Sequence, residues 1–245
     1  MIESESIIDI KNLKIGFDNQ DVLKDISLQL FKGENLVVLG KSGSGKSVLI
    51  KCIVKLLTPD NGSINVLGEN ISSLKAPELA ELRKKIGFLF QGGALYDSMT
   101  VRQNLEFPLK RVKKHLSQLQ IDQKVKEVLN EVSLLDSIDK MPSQLSGGMR
   151  KRISLARTII VDPAIILYDE PTTGLDPVTS DEISALINDV QKQYKASSIV
   201  ITHDIACARN IANRVVMLHD GLVLKEGSLE SFESSKEGLI HSFFK

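Results

Sequence analysis

This chain of 245 residues is expected to adopt an α/β fold. It should have a mainly parallel core sheet, an antiparallel β sub-domain at the N-terminus and a helical sub-domain inserted between sheet strands. Three observations carry that expectation. Short, nearly all-apolar runs, NLVVL at 35–39, AIILY at 164–168 and SIVIT at 198–202, each end in a glycine-rich turn or polar residues. That is the pattern of parallel strands buried on both faces, with ligands lying beyond their C-terminal ends. Two strand-like segments at 7–15 and 22–30 flank the turn-prone FDNQD, as an antiparallel edge would. The stretch 95–160 is dominated by helical periodicity.

The elements follow in order along the chain. The first apolar run feeds a glycine-rich turn, after which residues 48–57 have helical spacing. Residues 178–194 read as a second helix between the other two runs. No internal repeat, low-complexity tract or linker interrupts the pattern. One domain over 1–245, with the helical sub-domain at about 92–162, is therefore the expected organisation.

Composition narrows the function classes. With 42% hydrophobic and 25% charged residues the chain is ordinary for a soluble globular protein. Lys+Arg and Asp+Glu both number 31, so no global basic excess draws the chain to nucleic acid or an anionic bilayer, and no nucleic-acid partner is expected. Cys52 and Cys207 have neither metal-site spacing nor the density of a disulfide scaffold, and read as reduced cytosolic thiols in packed helices. The N-terminus MIESESIIDIK is acidic, and no stretch approaches the ~18 apolar residues of a membrane span. The chain by itself is expected to be neither exported nor inserted.

Two glycine-rich turns and one acidic strand end carry the chemistry. In GKSGSGKS, 40–47, Gly40, Gly43 and Gly45 let successive N–H groups curl inward, Lys46 supplies a charge for the β/γ-phosphates, and the Ser47 hydroxyl is a Mg²⁺ ligand. The following helix adds its positive end. IILYDE, 165–170, delivers Asp169 to the ligand edge of the sheet, where it holds Mg²⁺ through water. Glu170, one residue on, orients or deprotonates an attacking water. The second turn, LSGGM at 145–149, has no lysine and runs into a helix whose Met149, Ile153, Ala156 and Ile160 recur at helical spacing. Ser146, Gly147 and Gly148 then present free N–H groups outward, which suits a γ-phosphate, although a plain Ser N-cap opening a core helix gives the same pattern.

GKSGSGKS, Gln91 after the strand-like GFLF, LSGGM, ILYDE, TGLD at 173–176 and His203 after IVIT stand in one order and spacing. In these motifs the chain resembles the nucleotide-binding subunits of ATP-binding-cassette (ABC) transporters, which are P-loop NTPases, over essentially its whole length. The Walker motifs alone fit many NTPases; LSGGM shortly upstream of Walker B is far more specific. The resemblance implies an ATP hydrolase with ATP and Mg²⁺ as cofactors. It places Phe17 against adenine, where the bare sequence reads as a core residue. It adds Val22, Lys41, Ser42, Ser44 and Val48 to the nucleotide-binding set. Gln91 contacts Mg²⁺ or the water and senses the membrane subunit. His203, after what reads as the last parallel strand, contacts the γ-phosphate. The LSGGM turn and Asp176 reach ATP on a second copy of the chain, so that two ATPs are sandwiched head to tail. Partnership with membrane permease subunits implies a peripheral location on the cytoplasmic face of the inner membrane.

The phrase QGGALYDSMTVRQNLEFPL at 91–109, with Met149 where many family members have Gln, is similar to the ATPases of maintenance-of-lipid-asymmetry (Mla) and Mce-associated transporters. That similarity implies lipid or phospholipid transport, with an Mce-domain lipid-binding protein and a small regulatory subunit as further partners; no residue is assigned to the latter. Amino-acid or methionine importers, lipoprotein-release or cell-division ATPases, and a soluble non-transport ABC ATPase stay open as alternatives. The basic run LKRVKKH at 109–115 reads as a solvated helix or loop. The apolar tail residues Leu239, Ile240, Phe243 and Phe244 read as packing groups.

Overall fold

Ten strands form one mixed sheet in the order β5-β4-β1-β2-β10-β9-β3-β8-β7-β6 in the computed structural model, which describes residues 5–244. Residues 1–4 and 245, and with them parts of the acidic N-terminus and the tail, lie outside the described residues. The chain runs β1 (Ser6–Phe17), β2 (Gln20–Phe31), β3 (Asn35–Leu39), α1 (Lys46–Ile53), β4 (Asn61–Val66), β5 (Glu69–Asn70), α2 (Ala76–Arg83) and β6 (Ile86–Leu89). Three longer helices follow, α3 (Val101–Val112), α4 (Gln118–Glu131) and α5 (Gly147–Ile159). The rest is β7 (Ile165–Asp169), α6 (Pro177–Tyr194), β8 (Ser197–Thr202), α7 (Ile205–Ile211), β9 (Arg214–His219), β10 (Leu222–Gly227), α8 (Leu229–Glu233) and α9 (Gly238–Phe244).

The parallel half of the sheet is β6-β7-β8-β3-β9. Its strands are apolar on both faces because helices cover both. Along β3, Leu36 and Val38 enter one core while Val37 and Leu39 enter the other; Ile165 and Leu167 are likewise divided from Ile166 and Tyr168 in β7. Two expectations need correction here. The strand at 198–202 is not the last parallel one, since β9 pairs parallel with β3 from Leu36↔Arg214 to Leu39↔Met217. Segments 7–15 and 22–30 do pair antiparallel, as β1 and β2, but they are not the edge: β4 and β5 cover β1. The short NGSINV and EN segments form that edge through long-range pairing, which local pattern does not reveal.

Local signals account for the helices that position the site. Asp176 caps α6 by accepting from Thr179 N at 3.1 Å, and Pro177 supplies a preset first turn. Ile183, Ile187 and Val190 then bury one face. Between β6 and β7, Thr100 and Ser117 open α3 and α4 with reciprocal capping boxes. Leu105, Leu109, Val125, Leu129, Ile153 and Ile159 from α3, α4 and α5 join one core. The helix expected at 48–57 begins earlier, at Lys46, because Gly45 in the left-handed region (φ +95°) makes the turn that starts it. It ends at Ile53, ahead of Lys55 at φ +53°.

Candidate functional site

The turn after β3 folds around its own lysine. Lys46 Nζ donates to the carbonyls of Gly40 at 2.6 Å and Lys41 at 3.0 Å, and lies 3.8 Å from Glu170 Oε1. Burial holds this ammonium below its usual pKa, an effect opposed by Glu170 and Asp169. At Gly45 a Cβ would stand 2.4 Å from Leu23 Cδ2, so β2 packs against the turn and only glycine fits. Gly45 also offers α1 no side-chain cap. The first N–H groups and the positive end of α1 therefore face the turn without a side-chain partner, the arrangement that receives an anion. Ser44 Oγ is a buried polar atom without a hydrogen-bond partner among the described residues. A buried hydroxyl free at this turn fits a phosphate oxygen as its partner.

β7 brings the carboxylates to the same place. Ser47 Oγ donates to Asp169 Oδ1 at 2.9 Å. Burial raises the Asp169 pKa, while the Ser47 bond works against that shift. A hydroxyl oxygen and a carboxylate oxygen suit a hard divalent cation such as Mg²⁺. Glu170 sits at φ +51°, a conformation that costs a non-glycine residue about 1–3 kcal/mol. Its N–H donates to the Ile201 carbonyl at 2.9 Å, and Oε2 accepts from Thr173 Oγ1 at 3.0 Å and meets His203 Nδ1 at 2.9 Å. The carboxyl is thus aimed by Thr173, by His203 and, at 3.8 Å, by Lys46. Asp204, next to His203, accepts from Thr172 Oγ1 at 3.0 Å, a second tie between the segments after β7 and β8.

A cavity of about 390 Å³ collects Val22, Ser42, Gly43, Gly45, Lys46, Ser47 and Val48 with Gln91, Glu170 and His203. Gly40 and Lys41 touch that wall through the Lys46 ammonium, Ser44 is buried within the same turn, and Asp169 meets it through Ser47. Phe17 does not line the cavity and is not a core residue: it is 44% exposed at the end of β1, beside the turn that leads to Val22. Ser146, Gly147, Gly148 and Asp176 also lie outside it. Ser146 caps α5 by accepting from Met149 N at 3.2 Å, as an N-cap serine should. Asp176 is engaged locally by Thr179, whose bonds hold its carboxyl below the usual pKa.

Sequence reasoning missed Lys151, Thr173 and Thr172. A helical lysine reads as solvated, yet Lys151 is buried, with Nζ donating to the carbonyls of Gln91 at 2.6 Å and Glu170 at 3.3 Å. In the basic run at 109–115, Lys110 pairs with Glu106 at 2.6 Å and Lys113 with Asp162 at 3.4 Å. Both cysteines are buried in helices, and burial pushes each thiol up to about 11. No helix among the described residues is long and apolar enough to cross a membrane.

The family described as ABC transporter matches residues 23–173, the span from the nucleotide wall through the segment after Glu170. The chain belongs to the ABC transporter family. This ABC chain is 39% identical over 236 residues to the Mycobacterium leprae protein named "Probable ribonucleotide transport ATP-binding protein mkl", covering 96% of the chain and 68% of that protein. The methionine import ATP-binding protein MetN of Brucella abortus is 37% identical over 224 residues, 91% of the chain and 60% of MetN. The chain thus spans about two thirds or less of these relatives' lengths. Among solved structures, the dimeric post-hydrolysis state of the ATP-binding cassette MJ0796 bound to ADP and Pi superposes with TM-score 0.82 at 32% identity, over 91% of the chain and 98% of that cassette. The cbiO1 protein of Clostridium perfringens, part of the ABC transporter complex cbiONQ, gives TM-score 0.86 at 28% identity, over 95% and 92%. The ABC cassette described here is an ATP-binding, ATP-hydrolysing subunit of a transporter.

Proposed function

We propose that two copies of this ABC subunit close head to tail over two ATPs and, bound to membrane permease subunits, energise lipid or phospholipid transport of the Mla/Mce type. One observation carries the dimeric reading. The cavity holds the turn of 40–47, Glu170 and His203, while the Ser146–Gly148 turn opens elsewhere on the same chain. Each site is then complete only when a partner adds that turn. The dimeric MJ0796 cassette with ADP and Pi is consistent with this.

In this reading Lys46 and the first N–H groups of α1 hold the phosphates and Val22 flanks the nucleotide, with Phe17 against the adenine. Glu170 takes the proton from the attacking water as its oxygen bonds to the γ-phosphorus and ADP leaves. His203 holds the Glu170 carboxyl and faces the γ-phosphate. Mg²⁺, held by Ser47, Asp169 and Gln91, would neutralise phosphate charge. Loss of the γ-phosphate removes the shared ligand, and the copies part.

The lipid assignment rests on the phrase at 91–109 and on Met149, and brings with it an Mce-domain lipid-binding partner, a small regulatory subunit and a peripheral site at the cytoplasmic membrane face. Likeness to MetN favours an amino-acid importer as the second reading. Glu170→Gln should bind ATP and elute as a stable dimer while turnover falls roughly 10²–10⁴-fold; full turnover would remove the role given to Glu170. Wild-type turnover per chain should rise with protein concentration. Co-purification with a permease, followed by mass spectrometry of bound small molecules, separates phospholipid from amino-acid cargo.

A further inference from the structure

The geometry points to Lys151 as a positioning residue that fastens the backbone of Gln91 to that of Glu170. The pairing of β6 with β7 ends at Leu89↔Tyr168. Gln91 and Glu170 each stand two residues beyond that last pair, where the two segments diverge and no ladder bond joins them. Lys151 replaces the missing rung from the side. The residue, 7% exposed on the second turn of α5, donates from its ammonium to both carbonyls, Gln91 at 2.6 Å and Glu170 at 3.3 Å.

A lysine is rarely buried without compensation. Here the two carbonyls accept hydrogen bonds from it, and the negative charges of Asp169 and Glu170 attract it. A second bond from the same helix supports the strap: Arg157 donates to the carbonyl of Ala94, which sits at φ +51°. α5 therefore holds the 91–94 segment at two points, and only the Lys151 contact also reaches Glu170.

The consequence rests on the head-to-tail reading above. Ser146 caps the helix that carries Lys151, a little over one turn away. A turn that closes on the partner's ATP would then shift, through Lys151, the Gln91 and Glu170 of its own site. The two ATP sites would be linked through one ammonium group.

Lys151→Met keeps the length and apolar stem and removes the donors. In the full chain its turnover should fall about tenfold or more, as small misplacements of reacting groups do. The Kd for ATP should stay within about threefold of wild type, because Lys46 and the 40–47 turn are untouched. Amide exchange over residues 91–95 of the nucleotide-free protein should rise. Lys151→Arg, which restores a cationic donor, should recover turnover and protection. Turnover within about twofold of wild type in Lys151→Met, unchanged exchange, or no recovery in Lys151→Arg would overturn the proposal. If Lys151→Met does not fold, Lys151→Gln, which keeps one amide donor, takes the same measurements. A wild-type chain without ATPase activity would count against the functional reading, and the exchange measurement would still decide the fastening.

Discussion

The turn at 40–47 and the turn at 145–149 both open a helix with glycine and serine, yet they end in opposite states. The first wraps its own lysine, leaves α1 without a side-chain cap and faces two carboxylates. The second has no lysine, spends Ser146 on capping α5 and does not line the cavity. The difference teaches that a helix N-terminus is a general anion receptor, whereas a lysine and carboxylates turn it into a reaction site. In the proposed dimer one turn holds phosphate and the other completes the partner's site.

Variants should separate the two roles. Lys46→Ala should cost about 1.5–3 kcal/mol of ATP affinity, roughly tenfold to a hundredfold in Kd, measured by nucleotide titration. Affinity close to wild type would break the comparison at its stronger end. Gly147→Ala should leave single-chain ATP affinity unchanged while turnover drops about tenfold. Its added Cβ would meet Leu175 Cδ2 at an ordinary 3.8 Å, so the fold tolerates it. Gly148→Ala is the contrasting control: its Cβ would lie 2.6 Å from Thr179 Cγ2, and melting temperature should fall with turnover. The smallest effect belongs to Ser146→Ala, about 1 kcal/mol of stability from the lost cap, read by chemical denaturation. No loss would mean that the serine serves only the phosphate.

Much of the first turn was legible from sequence because its chemistry is local. Gly45, Lys46 and Ser47 are adjacent, and Asp169 and Glu170 follow a strand whose apolar run announces burial on both faces. The second turn's motif was legible, but its separation from the cavity was not, since that depends on how α5 packs. Lys151 was invisible for the same reason: helical spacing cannot show that two carbonyls from other segments meet one ammonium. β9 has the apolar run of a buried strand, but its place beside β3 depends on pairing Leu39 with Met217, far apart in the chain. β10 alternates between exposed and half-buried residues and gives a weaker signal still. Phe17 reads as core in the bare sequence because phenylalanine is usually buried; the end of a hairpin leaves it at the surface.

The junction between β2 and β10 has a mechanical consequence. The antiparallel arm and the parallel body are joined in the ladder at Leu222↔Asp25, with Lys24 N donating to the Gly221 carbonyl at 2.9 Å beside it. The ladder is narrow there, but Leu23, Ile26, Leu28 and Leu30 of β2 share one core with Leu36, Val38, Ile199 and Val216, so apolar packing as well as the ladder binds arm to body. Val22, next to the seam, lines the cavity opposite Lys46. A nucleotide held between them would add a further tie from arm to body, so ligand binding should raise the melting temperature.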